Sequence, residues 1–511
     1  MPQTGNQTEI KVKPLGLTPT YNETIVVLES PNIQSDNFKW LVDIYRGAPG
    51  DTDYELLSSI VILPNPSGFG VIDFHRHIEN HITTSFYPAD IDRISERVYD
   101  DGLKWSFQVT EQFENPVWRF DDNRIDIGAD VAFRTDNGFD PDASFNKHPF
   151  VTGDVVSIVQ DPGFTHPEYN TSSTVLTYYD EWNVITDIPK ESSTPIEGGL
   201  MSLVSSTSGL TRTIEQIFSS GETTFYSFNG ALSFQDFRNW DYLDYEQDFT
   251  SAPTTKFLLS GAREFNITMS DRVWVNCLLG SASWSVVYIE TNEGTYTASQ
   301  NYIPVGQHFI NQNKIGAKDL LETNDTTFAI TGSLPIVKPT TTYIKVTPYN
   351  TYPGTPVAET ITMNIVDDCS KYEAVRFFYM DKLGSYLPIT FNKVSRTNIT
   401  NTRSNYRQNY GTYDAVSNAW GYTTYDKGNT TFDLVSRESV TCTSDWLNQA
   451  GVDMVIGMLS SPNVYIQNED GEYIAVTITT NSYEVKKTVN DKLRNYVITF
   501  EYANTNTNQR G

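Results

Sequence analysis

Cysteine, positive charge and long apolar runs are all scarce in this sequence, and each shortage removes a class of function. Three cysteines, Cys277, Cys369 and Cys442, stand far apart. Their number is odd and no CxxC spacing occurs, so neither a disulfide framework nor a zinc knuckle is expected. Three reduced, buried thiols are the expectation instead. Lys and Arg number 36 against 63 Asp and Glu, a formal net charge of −27. A chain this acidic has no electrostatic means of gripping nucleic acid. The longest apolar runs, such as "IVVL" and "SSIVILP", fall far short of the ~20 residues of a membrane helix, so no membrane insertion is expected. The opening MPQTGNQTEIKVKP lacks the apolar stretch of a secretory signal, which points to synthesis in a cytoplasm. Sequons at Asn22, Asn266 and Asn398 are then read as composition and not as glycosylation. No Walker A loop, GxSxG elbow or GxGxxG turn is found. No catalytic residue and no cofactor is therefore expected.

What is present is strand chemistry. Aromatic residues make up 13% of the 511 residues, enough to build large buried surfaces. Thr, Tyr and Val favour strands, and Asn and Gly favour turns. The length exceeds one hydrophobic core, and roughly three to five domains follow from it. The expected class is all-β, mainly β-sandwich modules, with a few short helices.

Residues 1–115 read as an immunoglobulin- or fibronectin-like sandwich. In "DNFKWLVDIYRG", Phe38, Trp40, Val42 and Ile44 fall on one face, the period of two of a half-buried strand. "KWSFQVTEQF" repeats it with Trp105, Phe107 and Val109. Residues 116–205 read as a small SH3-like barrel inserted in the chain. Residues 206–365 read as a second sandwich, with a short helix near 312–322. Residues 366–511 read as a meander of strands with one helix, about 444–459, capped by Ser444 and carrying Leu447, Ala450, Met454 and Met458 at helical spacing.

Three stretches carry residue types that do chemistry. "HRHIENH" holds His75, His77 and His81; on a strand, His at i and i+2 would share a face and could meet a zinc ion, but no further ligand is marked and no metal is expected. "DNGFDPDASF" holds Asp136, Asp140 and Asp142, a loose likeness to a calcium loop that lacks its glycine position and closing Glu. A solvated turn is the expectation. "QDFRNWDYLDYEQDF" interleaves Asp236, Trp240, Asp241, Tyr242, Asp244, Tyr245 and Glu246. Carboxylates with aromatics can bind or cleave sugars, but Trp and Tyr more often anchor protein contacts. Trp240, Tyr242 and Tyr245 are accordingly the candidate interface residues, with core packing as the other reading.

"RFFYMDKLGSYLPITF" at 376–391, then "SDWLNQAGVDMVIGMLSSPNVYI" and "VTITTNSYEVKKTVNDKLRNYVITFEYA", resemble segments of tail and baseplate-type structural proteins of phages infecting Bacteroidetes, the crAss-like phages being the group named. "DNFKWLVDIYRG" is in keeping with them. The resemblance implies a virion tail component, a ring, collar or hub protein assembled in the host bacterial cytoplasm. It implies a homo-oligomeric ring (twelve-fold, with six-fold as the alternative) against neighbouring tail, portal or collar proteins, and no catalytic residues. The charge of −27 then suits a lumen that repels passing DNA. The alternative reading is a receptor- or glycan-binding tail-tip protein.

Overall fold

In the computed structural model, Asp36–Arg46 is a strand and Phe38, Trp40, Val42 and Ile44 are all buried. It pairs antiparallel with Gly102–Glu114 on one side and Glu55–Ile62 on the other. Leu17–Pro19, Thr224–Phe228 and Thr211–Gln216 complete this sheet. The facing sheet is Glu9–Val12, Ile25–Glu29 and Phe69–Asp73. Val26, Leu28 and Ile72 from it pack on Trp40, Phe107 and Phe225. Gly70 lies flat against Trp40, where a Cβ would stand 2.8 Å from the indole. Each such large apolar side chain contributes about 1.5–3 kcal/mol on burial.

The structure describes residues 8–49, 51, 54–82, 86, 94–98, 102–114, 117–127, 130–134, 150, 152–160, 172–180, 183–189, 197–206, 211–216, 218, 220–247, 253–279, 284–301, 309–323, 329–332, 334–349, 354–366, 371–468, 471–480 and 493–504. It is an all-β, multi-sheet, multi-domain chain with few short helices.

Between Gly102–Glu114 and Thr211–Gln216 the chain makes a closed barrel of six strands, Val117–Ile127, Asp130–Arg134, Val155–Gln160, Ser172–Asp180, Asn183–Pro189 and Glu197–Ser205. It closes because Asp130–Arg134 pairs with both Val117–Ile127 and Asn183–Pro189.

The compact units are two, Met1–Thr83 with Gly102–Phe228, and Thr84–Asp101 with Asn229–Gly511. The four segments expected from sequence divide the chain differently. Thr211–Gln216 and Thr224–Phe228 both pair with Gly102–Glu114, so residues 211–228 belong to the first sheet and not to a second sandwich. Nor does residue 366 open a new unit. Trp274–Leu279 and Phe309–Lys314 continue the same sheet as the C-terminal strands.

That second unit holds an eleven-stranded sheet. At its centre Val375–Met380 and Tyr386–Phe391 form the hairpin expected of 376–391. Val464–Gln467, Tyr473–Ile478 and Val497–Tyr502 follow in order. A six-stranded sheet that includes Tyr343–Tyr349, Ile361–Ile365 and Trp284–Thr291 shares one core with it.

The helix runs Gln449–Ser460 and places Met454 and Met458 in that core. Ser444 does not cap it, contrary to expectation. Leu447 exchanges both backbone hydrogen bonds with Arg494, 2.7 and 3.0 Å, which keeps 444–447 extended. Asn448 is the cap, its side chain accepting from the Gly451 N–H at 2.9 Å. The Ser444 hydroxyl accepts from Tyr496 N at 2.8 Å instead. The helix expected over 312–322 shortens to Ala317–Glu322, because Phe309–Lys314 is a strand.

Candidate functional site

The residues nominated by sequence do not converge on one centre. The strand Phe69–Asp73 ends before the histidines, and His75 opens a helical turn, His75–Ile78. The strand face expected to align His75 and His77 therefore does not form. His75 Nδ1 lies 2.7 Å from Asp73 Oδ2. Burial works against the Asp73 charge, but His75 and the N–H groups of Thr24 and His75 outweigh it and lower the carboxyl pKa. His81 packs edge-on to Trp105 at 6.4 Å. Among the described residues no three ligand-type side chains gather as a metal site. Asp136, Asp140 and Asp142 lie outside the described residues.

The acidic–aromatic stretch folds as two short turns, Phe234–Phe237 and Tyr242–Asp244, capped by Ser233 and Asp241. Trp240 is buried and stacks on Tyr245 at 4.6 Å. It is packed inside the fold and does not stand out as an exposed anchor. Tyr242 and Tyr245 are half-buried, and burial pushes both phenols up. Trp240 and Tyr245 line a polar cleft of about 810 Å³ with Lys256, Arg263, Glu359 and Asp381. Its carboxylates are committed: Asp244 to Lys256 at 2.8 Å, Glu359 to Arg263, and Asp381 to Ser260 N at 2.7 Å. Two of these are ion pairs inside the cleft, while Asp381 is held by neutral Ser260.

Cys277 and Cys442 are buried, and burial pushes each thiol up to about 12. A thiolate is the reactive form, so both act as apolar packing. Cys369 lies outside the described residues.

Sequence reasoning missed two features. The first is Glu111, on the inward row with Trp105, Phe107, Val109 and Phe113, all buried. It accepts from the Thr8 hydroxyl and from Asn32 Nδ2, the latter at 2.8 Å, and Thr8 Oγ1 in turn accepts from Trp40 Nε1 at 2.8 Å. Burial raises its pKa. The alternation that placed Trp105, Phe107 and Val109 inside places Glu111 there too.

The second is a ribbon. Arg396–Arg407 and Asn429–Thr443 pair antiparallel over their length. Asn429–Thr443 is covered by Val497–Tyr502 only from Ser439 to Thr443. Beyond that point no further strand among the described residues pairs with either of the two. The stretch 399–407 has nine residues, roughly 30 Å at the rise of an antiparallel strand. Eleven of the twelve residues of Arg396–Arg407 are exposed, so among the described residues nothing covers either face of this strand and no strand pairs with its outer edge.

The ribbon's tip is a smaller hairpin, Thr412–Asp414 with Ala419–Gly421. Tyr410, Tyr413, Trp420, Tyr422 and Tyr425 are 49–79% exposed there. Trp420 and Tyr413 are tied back to the hairpin by hydrogen bonds. Trp420 Nε1 donates to Tyr410 O at 3.1 Å, and Gly411, at φ +100°, leaves room for the indole where any side chain would collide with it. The Tyr413 hydroxyl donates to Asn418, and Asp414 accepts from Val416 N at 2.9 Å and the Ser417 hydroxyl at 2.7 Å. The sequence signal was there: between 396 and 433 the only large apolar residues are Ile399, Val416, Phe432 and aromatics spaced along a Thr/Asn-rich run.

No family model matches the chain, and no curated protein matches it. Among solved structures, Escherichia coli alpha-2-macroglobulin in its native conformation aligns at 8% identity with a TM-score of 0.11. The alignment covers 97% of this chain, which spans 40% of that one.

Proposed function

We propose that the chain is a structural protein of a phage tail, forming a homo-oligomeric ring or hub through which the genome passes. One observation carries the reading: the ribbon leaves both faces and one edge uncovered. A two-stranded hairpin alone is marginal in water, and an open edge invites pairing. Assembly is the state in which such a ribbon gains cover. The likeness of 376–391, 444–466 and 476–503 to phage tail proteins supports the same reading, because the strands described in these segments are neighbours in the large sheet. Twelve-fold or six-fold closure against portal, collar or other tail proteins follows from that likeness, as does a place in the virion tail. The net charge of −27 suits a lumen along which DNA slides.

A second reading, a receptor- or glycan-binding protein at the tail tip, is favoured by the exposed Tyr and Trp side chains of the hairpin, which have the flat faces that sugars stack on. Electron microscopy of the purified chain separates the two. Closed six- or twelve-fold rings support the structural reading. Monomers or trimers that retain a saccharide through Trp420 overturn it. Within a ring, lumen-facing residues that prove neutral or basic would remove the proposed role of the charge.

A further inference from the structure

We infer that the ribbon's open strand, Arg396–Arg407, docks on the acidic surface of a neighbouring copy of this chain. The inference deepens the ring reading and rests on it. Residues 382–413 contain Lys382, Lys393, Arg396, Arg403 and Arg407 and no Asp or Glu. This run sits in a chain that carries 63 acidic residues against 36 basic ones. Arg396, Arg403 and Arg407 are exposed and form no ion pair with another described residue. Their complement is therefore the surface of the same protein outside this strand.

Charge also fixes the sense of the contact. Two copies pairing edge to edge in full antiparallel overlap of Arg396–Arg407 would set Arg396 against Arg407 at both ends, which is destabilising for directly opposed strands. The contact therefore joins unlike surfaces, and contacts of that kind generate rings when the rotation closes. The tip adds the anchors. Tyr, Trp and Arg are the side chains that dominate interface energetics, and holding Trp420 in place beforehand reduces the ordering cost of binding. Nucleic acid fits less well, because Asp414, Asp426, Asp433 and Glu438 share the rest of the ribbon with only Lys427 and Arg437.

The test uses the full chain and native mass spectrometry across salt concentrations. Wild type is expected to assemble and to loosen as salt rises. R396E/R403E/R407E is expected to weaken assembly by about tenfold or more, the equivalent of ~1.4 kcal/mol, with an unchanged melting curve; the Arg→Lys triple is expected to assemble. A second variant, residues 399–438 replaced by a short Gly-Ser turn, is expected to be a folded monomer. If both variants assemble like wild type, the ribbon contact is wrong while the ring reading stands. If wild type is monomeric throughout, both fall. A monomer that holds duplex DNA through these arginines would overturn the inference in favour of a nucleic-acid partner.

Discussion

Two antiparallel strand pairs in the second unit share one backbone geometry and opposite fates. Val375–Met380 pairs with Tyr386–Phe391 and buries Phe377, Phe378, Tyr379 and Met380. Arg396–Arg407 pairs with Asn429–Thr443 over a longer run; its own residues bury almost nothing, and its partner strand buries only Val440 and Cys442, near the base. The hydrogen-bond ladder is common to both, so it does not decide which pair becomes core. The side chains decide. Phe377 meets Phe391 and Phe500, each at 5.3 Å, whereas the ribbon's Tyr406 and Phe432 meet only each other in this way, at 6.0 Å. The central pair is structural because its own chain covers it. The ribbon strand Arg396–Arg407 is left exposed by the described residues of its own chain.

The largest expected effect breaks the comparison if it fails. Phe377→Ala should destabilise the second unit by about 3–5 kcal/mol, as large-to-small core changes do. Phe432→Ala, on the ribbon, should stay within about 0.5 kcal/mol. Denaturant melts of both variants check this, and comparable losses at the two sites would show that the ribbon is packed. Asp319→Ala should cost about 3 kcal/mol, the low end of breaking a buried ion pair, because the buried Arg272 keeps Glu322 at 2.6 Å. Asp319 accepts from Arg272 Nη1 at 2.8 Å, Val273 N at 3.1 Å and Trp274 Nε1 at 3.2 Å. Next, Asn448→Ala removes the helix cap and should cost ~1 kcal/mol, seen as a modest drop in the same melt.

The smallest effects sharpen the contrast through pH. Burial raises the Glu111 carboxyl, so its folded pKa lies above its unfolded one. The stability linked to it is full below the unfolded pKa and is lost as pH rises through the folded value. Glu111→Gln should flatten that decline in melting temperature against pH. Asp414 is the exposed counterpart. Hydrogen bonds from Ser417 and Val416 lower its pKa, so the local stability of the tip hairpin linked to it is present above the unfolded pKa and is lost as pH falls through the folded value, without entering the global melt. Asp414→Asn should leave the global melt unchanged at every pH.

The strand class was legible because alternation in segments such as Asp36–Arg46 is a local property. The hairpin at 376–391 was legible as two apolar runs about the Leu383-Gly384 turn, and both runs are buried nearly throughout. Unit boundaries were not, since pairing of Thr211–Gln216 with Gly102–Glu114 spans about a hundred residues of sequence and leaves no local trace. Ser444 looked like a cap by its type alone; the bridge between Leu447 and Arg494 that displaced the helix start is again long-range. Trp240 was visible as an aromatic among acids, but only its stacking on Tyr245 distinguishes packing from display. The ribbon escaped notice because it lacks an apolar face, the feature by which strands are usually found.

Hydrogen exchange by mass spectrometry, on the purified chain as a dilute monomer and as the assembled particle, tests the central claim most directly. Amides of 399–438 should exchange quickly in the monomer and become protected on assembly, while those of 375–391 stay protected in both. A ribbon already protected in the monomer, or still exchanging quickly in the particle, would contradict the account.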